Sequence, residues 1–136
     1  MKIIDGTGAT LGRLASYTAK ELLKGEKVSI INCNEVIISG KKKTTEKEFA
    51  EKRGRVGHSQ KGPKHHKTSE KIVKRTIRGM LPNFREGRGK KAFGRLRCYN
   101  TVPKELVGKD VISSKKEKPI KFAKVKDFAR KWKQYQ

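Results

Sequence analysis

Residues 2–32, KIIDGTGATLGRLASYTAKELLKGEKVSIIN, decide the fold class. Lys2 to Asp5 is a short apolar run closed by Gly6, Thr7 and Gly8, which reads as a buried strand entering a tight turn. Thr10 stands where a helix begins, and its hydroxyl is expected to accept a hydrogen bond from a free first-turn amide. Leu11, Leu14, Ala15, Thr18 and Leu22 then recur at three-to-four spacing, and Gly25 stands where a helix ends in a left-handed residue. Val28 to Asn32 is apolar and β-branched enough for a second buried strand. Strand, helix, strand in so short a span implies a right-handed crossover and a parallel pair.

Outward from this unit the pattern loosens. Val36-Ile37-Ile38 fits either a short strand or a packed turn, and periodicity leaves both open. Thr45 and Glu48 have capping-box spacing for a short charged helix through Phe49 and Ala50. The stretch 52–67, KRGRVGHSQKGPKHHK, has no acid and almost nothing apolar, and its glycines and proline mark a loop that orders only against a partner. Helical spacing returns at Ser69, with Ile72/Val73, Thr76/Ile77 and Met80/Leu81 on one face, Lys71, Lys74, Arg75 and Arg78 on the other, and Pro82 as the stop. Asn83 to Phe93 reads as a second basic loop, Gly94 to Asn100 as a strand closed by Pro103. Phe122, Val125, Phe128/Ala129 and Trp132 have the spacing of a C-terminal helix, over residues 120–136, with Lys124, Lys126, Arg130, Lys131 and Lys133 around it.

Charge and apolar residues divide the chain at Gly40. The 136 residues carry 36 Lys+Arg against 13 Asp+Glu, a net +23, of which the first 40 residues hold +1 and the remaining 96 hold +22. Leu, Ile, Val and Phe total 30, about 22% of the chain and close to the roughly 20% below which a highly charged chain stays disordered; 12 of them fall in the first 40 residues. The front is a scaffold and the rest is a surface for an anion. Such self-repulsion is relieved by a polyanion, as nucleic acid phosphates do by releasing condensed counterions. No stretch approaches the roughly 20 apolar residues that span a bilayer, and the start MKIIDGTG lacks a signal-peptide pattern, so the chain is expected in the compartment where it is made, without a membrane partner. The length fits one domain. Cys33 and Cys98 lie far apart, outside any Cys-x-x-Cys pair, and read as buried reduced thiols.

Three other chemistries are weighed against this reading. Gly6, Gly8 and Gly12 give G-x-G-x-x-x-G, with the third glycine misplaced for a dinucleotide fingerprint, although Glu35 mimics the ribose-binding acid. His58, His65 and His66 lack the spacing of a structural zinc site. Among so many cations their charged rings are disfavoured, which suits stacking on bases. No nucleophile–base set or paired carboxylates stand out, so neither an enzyme nor a small-molecule substrate is expected, and no cofactor or metal. A protein that compacts DNA or RNA stays open as an alternative; irregular basic loops on a small core suit folded RNA better than a regular duplex groove.

Three segments then carry a family resemblance: IDGTGATLGRLASYTAKELLKGEKV (4–28), GPKHHKTSEKIVKRTIRGMLP (62–82) and GRLRCYNTVP (94–103). Together they resemble the ribosomal protein L-thirteen family of the large subunit in its archaeal and eukaryotic form, over residues 3–107, with RTIRGMLP (75–82) the most specific element. One departure is Thr101, where the family often has glycine. The resemblance implies a three-layer α/β/α domain around a small parallel four-stranded sheet. It also implies a structural role on large-subunit ribosomal RNA, in subunit assembly and translation in the cytoplasm, beside neighbouring ribosomal proteins.

The expected organisation is one domain over 1–136: a βαβ start in 1–40, basic RNA-binding segments in 41–67 and 83–97, and the C-terminal helix, whose deletion is expected to spare the fold. The expected RNA contacts in the first segment are Lys41, Lys42, Lys43, Arg53, Arg55, His58, Lys61, Lys64, His65, His66 and Lys67. The helix from Ser69 adds Arg75 and Arg78, and the second segment adds Arg85, Arg88, Lys90, Lys91, Arg95 and Arg97.

Overall fold

In a computed structural model, which describes residues 1–55, 57–58, 62–114 and 117–129, strands β1 (Lys2–Asp5) and β2 (Val28–Ile31) lie parallel, with Ile4 paired in register with Ile30. Helix α1 (Leu11–Leu23) connects them as the apolar spacing predicts, burying Leu11, Leu14, Ala15, Thr18 and Leu22. Thr10 does occupy the position before the helix, but its side chain makes no capping hydrogen bond. Gly25 has φ +101°, the left-handed conformation expected past the helix end.

The strand β3 (Ile37–Ser39) settles the ambiguity after Glu35, pairing antiparallel with β6 (Phe122–Lys124). Between them in sequence come α2 (Lys42–Gly54), α3 (Ser69–Met80), α4 (Gly87–Gly94), β4 (Leu96–Cys98) and β5 (Val111–Ser113); the one-turn helix α5 (Val125–Phe128) follows β6. The main sheet has the order β4-β2-β1-β5 and every pair in it is parallel. Alternation across β1 and β2 sends Ile4, Val28 and Ile30 to one face, into a core shared with Leu14 and Leu22 of α1, Ile72, Val73 and Ile77 of α3, and Ala92 of α4. On the opposite face Ile3 and Ile31 close against Leu106 and Tyr99, brought there by a 3-10 turn at Lys104–Leu106. The layers on the two sides of the sheet are therefore unequal, a full helical layer against a thin one.

Four local expectations change. Helix α2 begins three residues before Thr45, whose hydroxyl donates back to the Lys41 carbonyl (3.2 Å) from inside the helix instead of capping it, and the helix runs on through Arg53. The second basic loop contains α4: Ala92 is fully buried, and Gly89 lies so close to the backbone of Pro82 and Asn83 that an added Cβ would stand 2.3 Å from the Asn83 oxygen. Met80 does not complete the apolar face of α3, being 44% exposed. Phe122 to Lys124 is a strand, with helix only from Val125.

That last change carries energetic weight. Ala123, Val125 and Phe128 belong to the main core, and Phe49 of α2 stacks on Phe128 with ring centroids 4.3 Å apart. Removing residues 120–136 takes these buried side chains with it, at about 2–5 kcal/mol for each large one, so the segment is part of the fold. Arg130 to Lys133, including Trp132, lie outside the described residues. Thr101 needs no glycine, since Asn32 is the only non-glycine with positive φ among the described residues.

Candidate nucleic-acid interface

The basic groups sit on α2, α3, α4 and the connections between them. Helix α3 has its start fixed from a distance: the Glu70 amide donates to Asn100 Oδ1 (3.0 Å), thirty residues on, while the side chain of Thr68 makes no cap. With Ile72, Val73 and Ile77 driven into the core, Lys74, Arg75 and Arg78 are left on the half-exposed flanks. The Arg78 guanidinium lies 4.5 Å from the Phe84 ring centroid, Arg85 covers the same ring at 5.5 Å, and Lys74 lies 5.0 Å from Phe93. Phe84 and Phe93 meet edge to face at 6.3 Å. These aromatic supports hold three cations in one patch while leaving their charges unpaired with any acid among the described residues. Sequence spacing places Lys74 on the basic face of this helix without marking it as a contact, and it misses the roles of Phe84 and Phe93, whose trace is the alternation of basic residues with lone phenylalanines after Pro82.

On the other flank of α3, a cleft of about 240 Å³ opens toward α2. Lys52, His65, His66, Arg75 and Thr76 supply its polar walls, Phe49 and Ile72 its apolar floor, and Gly79 a wall without a side chain. Arg75 Nη1 donates to the Lys64 carbonyl (2.8 Å), which ties the 62–67 segment to α3. Burial holds His65 and His66 below the usual histidine pKa, and Arg75 with other neighbouring cations adds to it, so both rings are neutral at pH 7. Each can stack and accept a hydrogen bond.

Apart from His65, Arg75 and Arg78, which are half-buried, the expected contact residues separate into two groups. Lys41, Lys42, Lys43, Arg55, His58, Lys64, His66, Lys67, Arg85, Arg88, Lys90, Lys91 and Arg97 are exposed. Among the described residues only Lys42 of this set is paired with a carboxylate, Asp127 at 3.5 Å. Arg53 and Arg95 point into the protein instead. Arg53 Nη1 donates to the Phe128 carbonyl (2.7 Å), tying α2 to α5, and Arg95 Nη1 donates to the Leu22 carbonyl (3.1 Å) at the end of α1. Lys61 lies outside the described residues.

The glycine turn after β1 is occupied by the chain itself. The Gly6 amide donates to Ile31 O (3.0 Å), the Gly8 amide to Glu35 O (3.2 Å) and the Ala9 amide to Gly6 O (3.1 Å), which leaves none of these three donors for a pyrophosphate. A Cβ on Gly6 would stand 2.8 Å from Val36 Cγ2. Glu35, the candidate ribose acid, is held by Lys124 (2.6 Å) and Lys126 (2.7 Å). The pattern is a packing device. Cys33 and Cys98 are free thiols; Cys33 is buried and Cys98 partly so, and their mutual contact together with burial pushes the Cys33 pKa up.

A small parallel α/β platform, with Glu21 and Glu35 tied up internally and a strongly basic surface on its helices, defines the class of the protein as a compact basic α/β domain. Residues 1–105 match the family model described as Ribosomal protein L13. The chain is 46% identical over 114 residues to the large ribosomal subunit protein uL13 of Methanosarcina barkeri, covering 83% of this chain and 80% of that protein. It is 38% identical over 125 residues to the uL13 of Methanosphaera stadtmanae, covering 90% and 87%. For the uL13 of Thermoplasma acidophilum the identity is 40% over 106 residues, covering 78% and 76%. The chain belongs to the ribosomal protein L13 family, a family of structural constituents of the ribosome rather than enzymes.

Proposed function

We propose that the protein binds large-subunit ribosomal RNA and, through that contact, helps the large subunit assemble beside neighbouring ribosomal proteins. The observation that carries this reading is the separation of charges. Glu21 and Glu35 are each held by two lysines inside the fold, whereas the exposed cations of α2, α3 and α4, apart from Lys42 with Asp127 and Lys47 with Glu51, face no carboxylate among the described residues. Unpaired cations in such numbers lower the stability of the free chain and gain their partner in phosphate. Arginine forks held over phenylalanine rings are already oriented for bidentate phosphate contact or base stacking.

Co-sedimentation tests the assignment. The protein should remain with large ribosomal subunits through a high-salt wash, and purified chain should bind deproteinised large-subunit ribosomal RNA more tightly than long duplex DNA at about 0.2 M salt, where non-specific binding is weak. Equal affinity for the duplex would favour the compacting alternative.

A further inference from the structure

We infer that the cleft between α2 and α3 is a receptor for a single unpaired nucleotide extruded from the bound RNA, an inference that rests on the RNA-binding reading above. Its volume, about 240 Å³, lies below the roughly 300–1,000 Å³ of clefts that take drug-sized ligands, so it suits one base and its sugar rather than a dinucleotide. Its lining has the composition such a guest requires. Phe49 and Ile72 provide an apolar floor, His65 and His66 provide neutral stacking rings with ring-nitrogen hydrogen-bond partners, and Lys52 and Arg75 provide phosphate charge at the rim. The Arg75 bond to the Lys64 carbonyl keeps the histidine-bearing segment against α3.

Gly79 supplies an independent argument. It lies inside α3, one residue before the helix ends, where glycine costs about 1 kcal/mol relative to alanine. Yet an added Cβ would meet no atom of the described residues beyond its own helix backbone within 4 Å, and its φ is not positive. Neither packing nor backbone conformation within the protein calls for glycine there. Gly12, Gly54 and Gly94 share this freedom, but Gly79 is the helix glycine that lines the cleft, where the missing side chain leaves the helix backbone open to a guest. The guest is a nucleotide within a strand rather than a free metabolite, because the rim continues into the exposed cations Lys64 and Lys67, which extend the charge along a backbone path.

The test uses the full chain on deproteinised large-subunit ribosomal RNA, probed with a reagent that modifies the Watson–Crick edges of unpaired bases. Wild type should shield at least one unpaired base. Gly79→Leu, which fills the cleft while placing a better helix former on α3, and His66→Ala should both restore modification of that base. Affinity should fall about five- to tenfold, the low end for loss of one stacked base, with the circular-dichroism melt unchanged for His66→Ala and unchanged or raised for Gly79→Leu. Wild-type binding with base protections that neither variant alters would overturn the cleft proposal and leave the RNA-binding reading standing. A wild-type chain that fails to bind the RNA overturns both. Free nucleoside monophosphates titrated into the protein should cause at most weak, millimolar shifts at His65 and His66; tight saturation by a monophosphate, with no shielding of RNA, would assign the cleft to a metabolite instead.

Discussion

Arg53 and Arg55 stand two residues apart in a run of cations, and nothing in their local sequence tells them apart. The fold does. Arg53 is half-buried, with Nη1 on the Phe128 carbonyl and with Nε and Nη2 buried without a hydrogen-bond partner among the described residues, and this desolvation lowers its pKa from the ordinary arginine value. Arg55 is exposed. Arg53→Ala should therefore cost stability, about 1 kcal/mol once the desolvation of the guanidinium is set against its hydrogen bond, and should leave the salt dependence of RNA binding unchanged. Arg55→Ala should do the reverse, with an unchanged melting temperature and a salt slope reduced by about one contact. Thermal melts and binding isotherms at several salt concentrations check both, and identical behaviour of the two variants would remove the distinction. The same logic separates Arg95, bonded to the Leu22 carbonyl, from exposed Arg97.

At the level of elements, the parts legible in the sequence are those whose own residues supply the cause. The β1–α1–β2 unit and α3 carry their apolar spacing within themselves, and Gly25 marks the end of α1 in place. Elements that depend on distant residues were hidden. Helix α4 exists because Gly89 fits under the backbone of Pro82 and Asn83 and because Ala92 enters the core; its sequence, GRGKKAFG, is indistinguishable from a basic loop. Strand β6 exists because it finds β3 more than eighty residues earlier, and the cleft joins α2 to α3 across a segment with no periodicity. The β6–α5 unit is further held by Glu35, whose carboxylate stays below its ordinary pKa of 4.5 because Lys124 and then Lys126 donate hydrogen bonds to it. A carboxylate with a depressed native pKa contributes stability that is complete above the unfolded value and is lost as pH falls through the native one. Wild type should thus exceed Glu35→Gln in stability at pH 7 by up to about 1 kcal/mol, the range for partly exposed pairs, and the two melting curves should converge as pH drops below 4.5. A gap that does not narrow at all as pH falls below 4.5 would show that Glu35 acts through packing rather than charge.

For the whole molecule, net charge is the dominant physical quantity, and it sets stability and binding against each other. The +23 is arranged around a core whose buried acid, Glu21, is already held by Lys2 and Lys24, so most of the excess has no intramolecular relief. Arg88, Lys90, Lys91 and Arg97 are exposed on α4 and β4 and serve no core contact. Changing these four to Gln should raise or preserve the melting temperature of the free protein at low salt, because repulsion falls while the core is untouched. The same change should weaken RNA binding and flatten the dependence of log affinity on log salt by about 3, from a slope near 0.7–0.9 per phosphate contact. Stability measured without RNA and affinity measured with it should therefore move in opposite directions in one variant. If both fell together, these residues would be part of the fold; if the slope did not change, phosphate would lie elsewhere on the surface, on α2 and α3 alone.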